Sequence, residues 1–340
     1  MKNSIFIFAL ILFFTATEVR SQELPVAFKQ DTVFENISTI KISGYYSKIN
    51  IKRTKDDNVR SITTLRAMNK EGYGLKAVSS NKALELTVLY PKENWTSHAG
   101  ELTLYVPDSV NIDIRTTSGY CNVYDISPDK LNITTKSGKI TINKCKGDIL
   151  LASTSGDIFL DEITGSTNVK TKTGKIHILR TKGDVTTRSS LGNTRLENIN
   201  GKIRTESTSG KQYMENIKGE IIAGTVSGFI KISYADGTIR IVGAKGDIEL
   251  YQTTGILDIK TTKGNQTGTA VSLTGNSRFT STEGKIKMRF NTPKENISYQ
   301  LNSEKGFLFA LGKSKKRKLS IGKGKILVEA SSTTGTQSFF

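Results

Sequence analysis

The sequence predicts an all-β protein, a single-stranded parallel β-helix (β-solenoid) with 18-residue coils built from two nonapeptide units. Three observations carry that expectation. Glycine falls on every ninth residue from Gly138 to Gly264, fifteen landings in succession, in a chain of 340 residues with 30 glycines. Two and four residues after each glycine the side chain is mostly apolar, as in Ile140 and Ile142, Ile158 and Leu160, or Ile230 and Ile232. A spacing of two is strand periodicity with one buried face. The units also alternate: Ser-Gly or Thr-Gly turns end at 138, 156, 174 and 228, whereas turns at 147, 165, 201 and 219 carry Cys145, Ile163, Ile199 or Ile217 two residues earlier. One coil is therefore two strands and two unlike turns, and the glycines answer a positive φ or a close backbone approach.

A lone five-residue strand cannot hide its isoleucine pair, but a stack of them can. From 138 to 264 there are seven coils, rising about 4.8 Å each, or about 34 Å in all. An antiparallel sandwich is the rival architecture, and its turns would not recur at one fixed length. Parallel crossovers prefer the right hand.

The elements follow in chain order. Residues 1–21 read as a signal peptide: Lys2, then ten apolar residues from Ile5 to Phe14, then a polar stretch ending at Ser21. The apolar run is far short of the roughly 20 residues a membrane-spanning helix needs. No cysteine stands at the cleavage point to carry a lipid, and no later run is long enough to cross a bilayer. The mature chain is expected to be exported, to periplasm, outer cell surface or extracellular space, with no transmembrane segment. Residues 22–115 lack the metre but contain strand-like stretches at Ile37 to Ile42, Lys48 to Ile51, Leu84 to Leu89, Glu101 to Val106 and Ile112 to Arg115. They are expected to form a less regular N-terminal β region capping the stack, since bare strand edges invite pairing. Residues 116–290 are the regular solenoid, which reaches back to Gly119 and resumes after a two-residue insertion at Gly275 and Gly284. Residues 291–340, with the basic string Lys313 to Lys318, supply C-terminal strands and a cap.

Recurring Thr-Ser-Gly-x-Ile-x-Ile and Lys-Gly-Asp-Ile-x-Leu units follow a strand ending Leu104-Tyr105-Val106-Pro107-Asp108 and the run Ile112-x-Ile114-x-Thr116-Thr117-Ser118-Gly119. In these the chain resembles the bacterial putative-adhesin family, exported β-helical proteins of unknown function, over roughly residues 35 to 330. The resemblance implies a right-handed β-helix in an envelope or extracellular setting. It brings no catalytic residues.

Cys121 and Cys145 are the only cysteines. Export would permit a disulfide, but Cys121 occupies the slot of Ile140 while Cys145 stacks between Ile126 and Ile163, which favours core packing of both. His98 and His177 have no metal-like partners nearby in sequence, and His177 should point outward. Calcium-binding nonapeptide solenoids place Asp two residues after glycine; here Asp148, Asp157 and Asp247 fall one after, so no metal and no cofactor are expected. Lys172-Thr173-Gly174 is the repeat and not an acyl-enzyme element, as Lys136-Ser137-Gly138 illustrates.

Two acidic residues flanking a bond are the usual glycosidase machinery. Asp157 with Asp161, and Asp247 with Glu249, are the candidate outer-face pairs, more simply read as a solvated surface. Among outward slots, Asp184, Lys202 and Glu220 alternate in sign and neutralise one another across coils. Lys175, Arg195, Lys211 and Lys231 lie on four consecutive coils with His177 and Tyr213 among them. They are the candidate weak binding surface, with Tyr213 as a stacking platform, although solubility alone could explain them.

Net charge is +18, with 49 Lys and Arg against 31 Asp and Glu, so anionic partners are favoured. The leading expectation is a non-enzymatic exported β-helix, an adhesin or binding scaffold for anionic polysaccharide, lipopolysaccharide or an envelope surface. The alternative is a polysaccharide-active lyase or hydrolase on the same scaffold. Nucleic acid fits poorly, because export and one or two aromatics leave little for base stacking. Oligomeric state and ligand identity are not legible.

Overall fold

A computed structural model describes residues 24–69, 71–91 and 98–340. Residues 1–21, expected to be a signal peptide, and the His98 side chain lie outside the described residues. Among these residues there is no α-helix, only strands and one 3-10 turn at Lys294–Asn296.

The glycine metre is the pitch of two parallel ladders. In the first, residues 18 apart face each other in exact succession: Ile140, Ile158, Ile176, Thr194, Gln212, Ile230, Ile248 and Gln266. In the second, Ile149, Thr167, Val185, Ile203, Ile221, Ile239 and Leu257 do the same. Both sets point inward and are buried. The expected β-solenoid of 18-residue coils is therefore present, and a stack of aliphatic side chains between the ladders holds it together.

Both turns need glycine because a Cβ would strike the backbone of the coil below, and one of them needs it for its backbone angle as well. Gly147, Gly165, Gly183, Gly201, Gly219, Gly237 and Gly255 have φ between 128° and 154°. The intervening Gly156, Gly174 and Gly246 are not in that region, yet a Cβ on any of them would meet the carbonyl oxygen of the glycine one coil below at 1.6–2.0 Å. Close stacking, not left-handed backbone, forbids a side chain there. Most glycines of this turn, though not Gly246, stand three residues after a Ser or Thr. Thr135, Ser153, Thr171 and Thr225 are buried, and their hydroxyls accept the N–H of Gly138, Gly156, Gly174 and Gly228 at 2.8–3.2 Å.

Each strand of the first ladder bends once. Asp125, Lys144, Glu162, Arg180, Asn198, Asn216, Tyr234, Gln252 and Ala270 all have φ between 48° and 57°, one per coil. The left-handed residue resets the alternation of the strand. Cys145, Ile163, Ile199, Ile217 and Val271, which simple alternation after Ile142 would turn outward, are buried.

Both ends of the stack run out of chain order. Thr39–Gly44 and Lys48–Arg53 form one coil; Asn111–Thr116 and Tyr120–Ile126 pair above it, but Ala83–Leu89 and His98–Val106, later in sequence, pair below. Antiparallel strands then close the edges: Val59–Ala67 on His98–Val106, Val26–Phe34 on Val59–Ala67, and Gly74–Ser80 on Ala83–Leu89. At the other end Ile326–Ser332 and Gln337–Phe339 slide between the coil of Ser277–Ser281 and Ile286–Phe290 and the long strand Ile297–Ala310. The glycine column records this order, since Gly335 would strike Gly284 and Gly306 would strike Gly335. Lys313–Ile321 pairs antiparallel with Ile297–Ala310 as an outer strand.

Candidate functional site

The expected binding residues fall on the outer side of the first ladder, in two adjacent columns. His177, Arg195, Tyr213, Lys231 and Glu249 occupy one. Lys175 and Lys211 belong to the other, with Asp157, Asn193 and Asp247. Most charge in the first column is already spent. Arg195 pairs with Glu197 and lies 3.5 Å from Glu215, His177 Nε2 is 3.1 Å from Glu197, and Lys231 is 3.6 Å from Glu249. Burial raises the pKa of Glu197, but hydrogen bonds from His177 and Arg195 outweigh it and hold the carboxyl below its ordinary value. Tyr213 sits edge-on to Phe229 at 6.1 Å, and His177 edge-on to Phe159 at 5.3 Å. Lys175 and Lys211 are exposed and have no ion pair among the described residues.

Of the candidate carboxylate pairs, Asp157 and Asp161 are separated by burial of the latter, whereas Asp247 and Glu249 are both exposed. Asp157 Oδ1 accepts the backbone N–H of Lys175 at 2.8 Å, and Asp247 Oδ1 that of Asn265 at 2.7 Å. Asp184 does the same for Lys202 at 2.9 Å, and Asn193 for Lys211 at 3.0 Å. An Asp or Asn directly after glycine thus caps the next coil. Asp161, expected on an outer face, is buried at 6% exposure and paired with Arg180. It sits just before the left-handed bend, where the strand turns away from the outer surface. Lys202 and Glu220 are paired at 2.8 Å, as their alternating signs predict.

A basic crevice lies elsewhere, along the bend. About 390 Å³ in volume, it is lined by five cations, Arg53, Lys144, Lys146, Arg180 and Lys182, against two carboxylates, Asp125 and Glu162. Ile126, Cys145 and Ile163 also line it. Arg53 is paired with Asp108, and Arg180 with Asp161 and Glu162. Lys144, Lys146 and Lys182 have no ion pair among the described residues. Lys146 and Lys182 face Thr164 from opposite sides, two coils apart, a span of about 10 Å. Sequence reading missed these lysines because the residue at the bend varies from Lys to Glu, Asn, Tyr and Ala. Their only trace is Lys eight residues after the Ser-Gly or Thr-Gly turns at 138, 174 and 210.

A larger, shallower depression of about 510 Å³ on the second ladder is floored by Gly224. Its Arg188 and Arg204 both reach Glu206, at 3.1 and 2.6 Å. Beneath it a buried polar chain crosses the core: Thr187 donates to Thr205, Thr205 to Gln212 Oε1, and Gln212 Nε2 to the Gly224 carbonyl, all within 2.8 Å.

Cys121 and Cys145 are free and buried, in the slots that the register predicts. Burial pushes both thiols up to about 12. Among the described residues no three His, Cys, Asp or Glu side chains converge as a metal site, and no helix is long and apolar enough to cross a membrane.

The sequence pattern of the Toastrack DUF4097 family matches residues 37–242. The chain is similar in structure to a putative cell adhesion protein from Clostridium sporogenes ATCC 15579, at 10% identity and a TM-score of 0.24, over 92% of this chain and 98% of that one. It is also similar to a putative adhesin from Bacteroides fragilis NCTC 9343, at 15% identity and a TM-score of 0.27, over 77% and 96%. Likenesses at that level say nothing of what this chain binds. No curated protein matches it.

Proposed function

The chain belongs to the Toastrack DUF4097 family, and from that premise we propose that its solenoid is a non-enzymatic binding scaffold, exported to the cell envelope or beyond, for anionic polysaccharide. The observation that carries this reading is the basic crevice, where Lys144, Lys146 and Lys182 stand without carboxylate partners among the described residues. Lys175 and Lys211 extend the same chemistry onto the outer face, with Tyr213 as an apolar platform; Arg195 and Lys231 contribute only by exchanging their present carboxylate partners. Ammonium groups about 10 Å apart along the stack suit a ligand that repeats its charge at intervals. Affinity of this kind is screened by salt. The non-enzymatic reading is favoured by the backbone N–H that Asp157 and Asp247 each accept and by the burial of Asp161.

Retention on immobilised heparin over a salt gradient tests the reading. The wild type should elute at moderate salt, Lys144→Ala/Lys146→Ala/Lys182→Ala much earlier, and Lys175→Ala/Lys211→Ala somewhat earlier. Retention that ignores salt, or a triple variant that elutes with the wild type, would overturn it. Shortened polysaccharide after incubation, lost in Asp157→Asn, would reinstate the enzyme.

A further inference from the structure

The C-terminal hairpin carries a second surface, independent of the crevice and outside the residues that the family pattern matches. Ile297–Ala310 and Lys313–Ile321 pair antiparallel across a two-residue turn, Leu311-Gly312, with φ of 48° and 73°. The turn is the tight type whose twist suits a hairpin. Between Ile297 and Lys325 stand eight cations and one carboxylate, Glu304. Lys313, Lys315, Lys316, Arg317 and Lys318 are all exposed and have no ion pair among the described residues.

Edge protection accounts for lysines on an outermost strand. It does not account for what lies beside them. Phe307 and Phe309 are 47% and 39% exposed, with ring centroids 6.3 Å apart. They face Lys316 and Ser314 across the pair, and Lys316 Nζ sits 4.9 Å over the Phe307 ring. Two bare aromatic rings on an edge are a liability in water, and a charge-only ligand would not need them. A bilayer uses both: anionic headgroups attract the cations while rings at headgroup depth leave water.

We propose that this hairpin docks the end of the solenoid on an anionic phospholipid bilayer, with Phe307 and Phe309 entering the interface beside Lys316 and the other cations of the same strand reaching headgroups around them. Arg and Lys stems of that length reach phosphates while their carbon chains lie along the apolar surface.

Co-sedimentation of the full chain with vesicles of phosphatidylcholine, with and without phosphatidylglycerol, tests the proposal. The wild type should bind only the vesicles containing phosphatidylglycerol. Neutralising the five cations to Gln should weaken binding by at least about a hundredfold, and Phe307→Ser/Phe309→Ser, with every charge kept, by about tenfold. Replacing the four lysines by Arg should preserve binding, and unchanged circular dichroism shows that each variant folds. Lys144→Ala/Lys146→Ala/Lys182→Ala should bind vesicles like the wild type, so failure of the crevice reading leaves this result intact. An aromatic variant that binds as tightly as the wild type, or binding to dextran sulfate that is stronger than to vesicles and insensitive to the rings, would overturn the proposal in favour of a polyanion.

Discussion

Two glycines in the same scaffold should respond in opposite directions to one added methyl group. At Gly246 a Cβ would lie 1.6 Å from the Gly228 carbonyl oxygen, where real contacts essentially never fall under 3.0 Å. The two coils would have to part by more than about 1 Å, enough to forfeit the hydrogen bonds that join them there. Three are at stake: Ala244 N–H to Thr225, Lys245 N–H to Val226, and Ile230 N–H to Asp247, at 3.1, 2.8 and 3.0 Å. At about 0.5–1.5 kcal/mol net each, Gly246→Ala should cost about 2–4 kcal/mol. Gly224 differs in kind. Its φ is not positive, and the nearest atom to a new Cβ is Glu206 Cγ at 3.9 Å. Gly224→Ala should therefore stabilise by about 0.5 kcal/mol, through lost freedom of the unfolded chain. Urea unfolding followed by circular dichroism reads both as midpoint shifts at constant slope. Steric stacking as the reason for the metre is wrong if Gly246→Ala stays within about 0.5 kcal/mol of wild type, or if the two variants lose equally.

Other outcomes follow from the buried groups. With both thiols held protonated to about 12, a thiol reagent at pH 8 should leave the folded protein unmodified and label two cysteines once it is denatured; a denatured, unreduced sample with no reactive thiol would mean a disulfide. The depressed pKa of Glu197 adds stability above its ordinary value of 4.5 and loses it as pH falls below. Thermal unfolding of Glu197→Gln should accordingly fall short of wild type at neutral pH and converge with it in acid, and parallel curves would argue against the ionic contacts. Arg180→Ala strands the buried Asp161 carboxylate and should cost about 1–3 kcal/mol in urea unfolding, where no change would mean that Asp161 finds another donor.

The regular coils were legible because their constraint is local and repeated. Gly and the inward isoleucines recur at a fixed count, and any register other than 18 would turn Ile140 or Ile149 to water. Cys145 could be placed between Ile126 and Ile163 for the same reason. The ends were not legible in detail, since no periodicity says that Ala83–Leu89 and His98–Val106 lie beneath Thr39–Arg53 or that Ile326–Phe339 slides under Ile297–Ala310; those placements are settled by which edge remains open. Three polar residues, Gln212, Gln266 and Gln337, sit in slots that usually hold isoleucine, and each is buried and donates to a carbonyl across the core. The candidate site was legible only as a charge imbalance. Counting outward cations found Arg195 and Lys231 but could not reveal that Glu197, Glu215 and Glu249 neutralise them, and the bend that gathers Lys144, Lys146 and Lys182 depends on a backbone angle adopted by nine residues of eight different types.

The folded-back ends also govern how a chain of this kind can change length. Neither terminal rung offers a free parallel edge, so nothing can be appended there without dismantling a closure. Growth has to come from within. A duplicated 18-residue segment spliced between Gly165 and Gly237 would meet the same carbonyl, the same bend and the same aliphatic layer on either side, and would do no more than push the two closures apart by about 4.8 Å. Such a molecule behaves as a ruler with fixed endpieces, and its reach can be lengthened only in whole divisions.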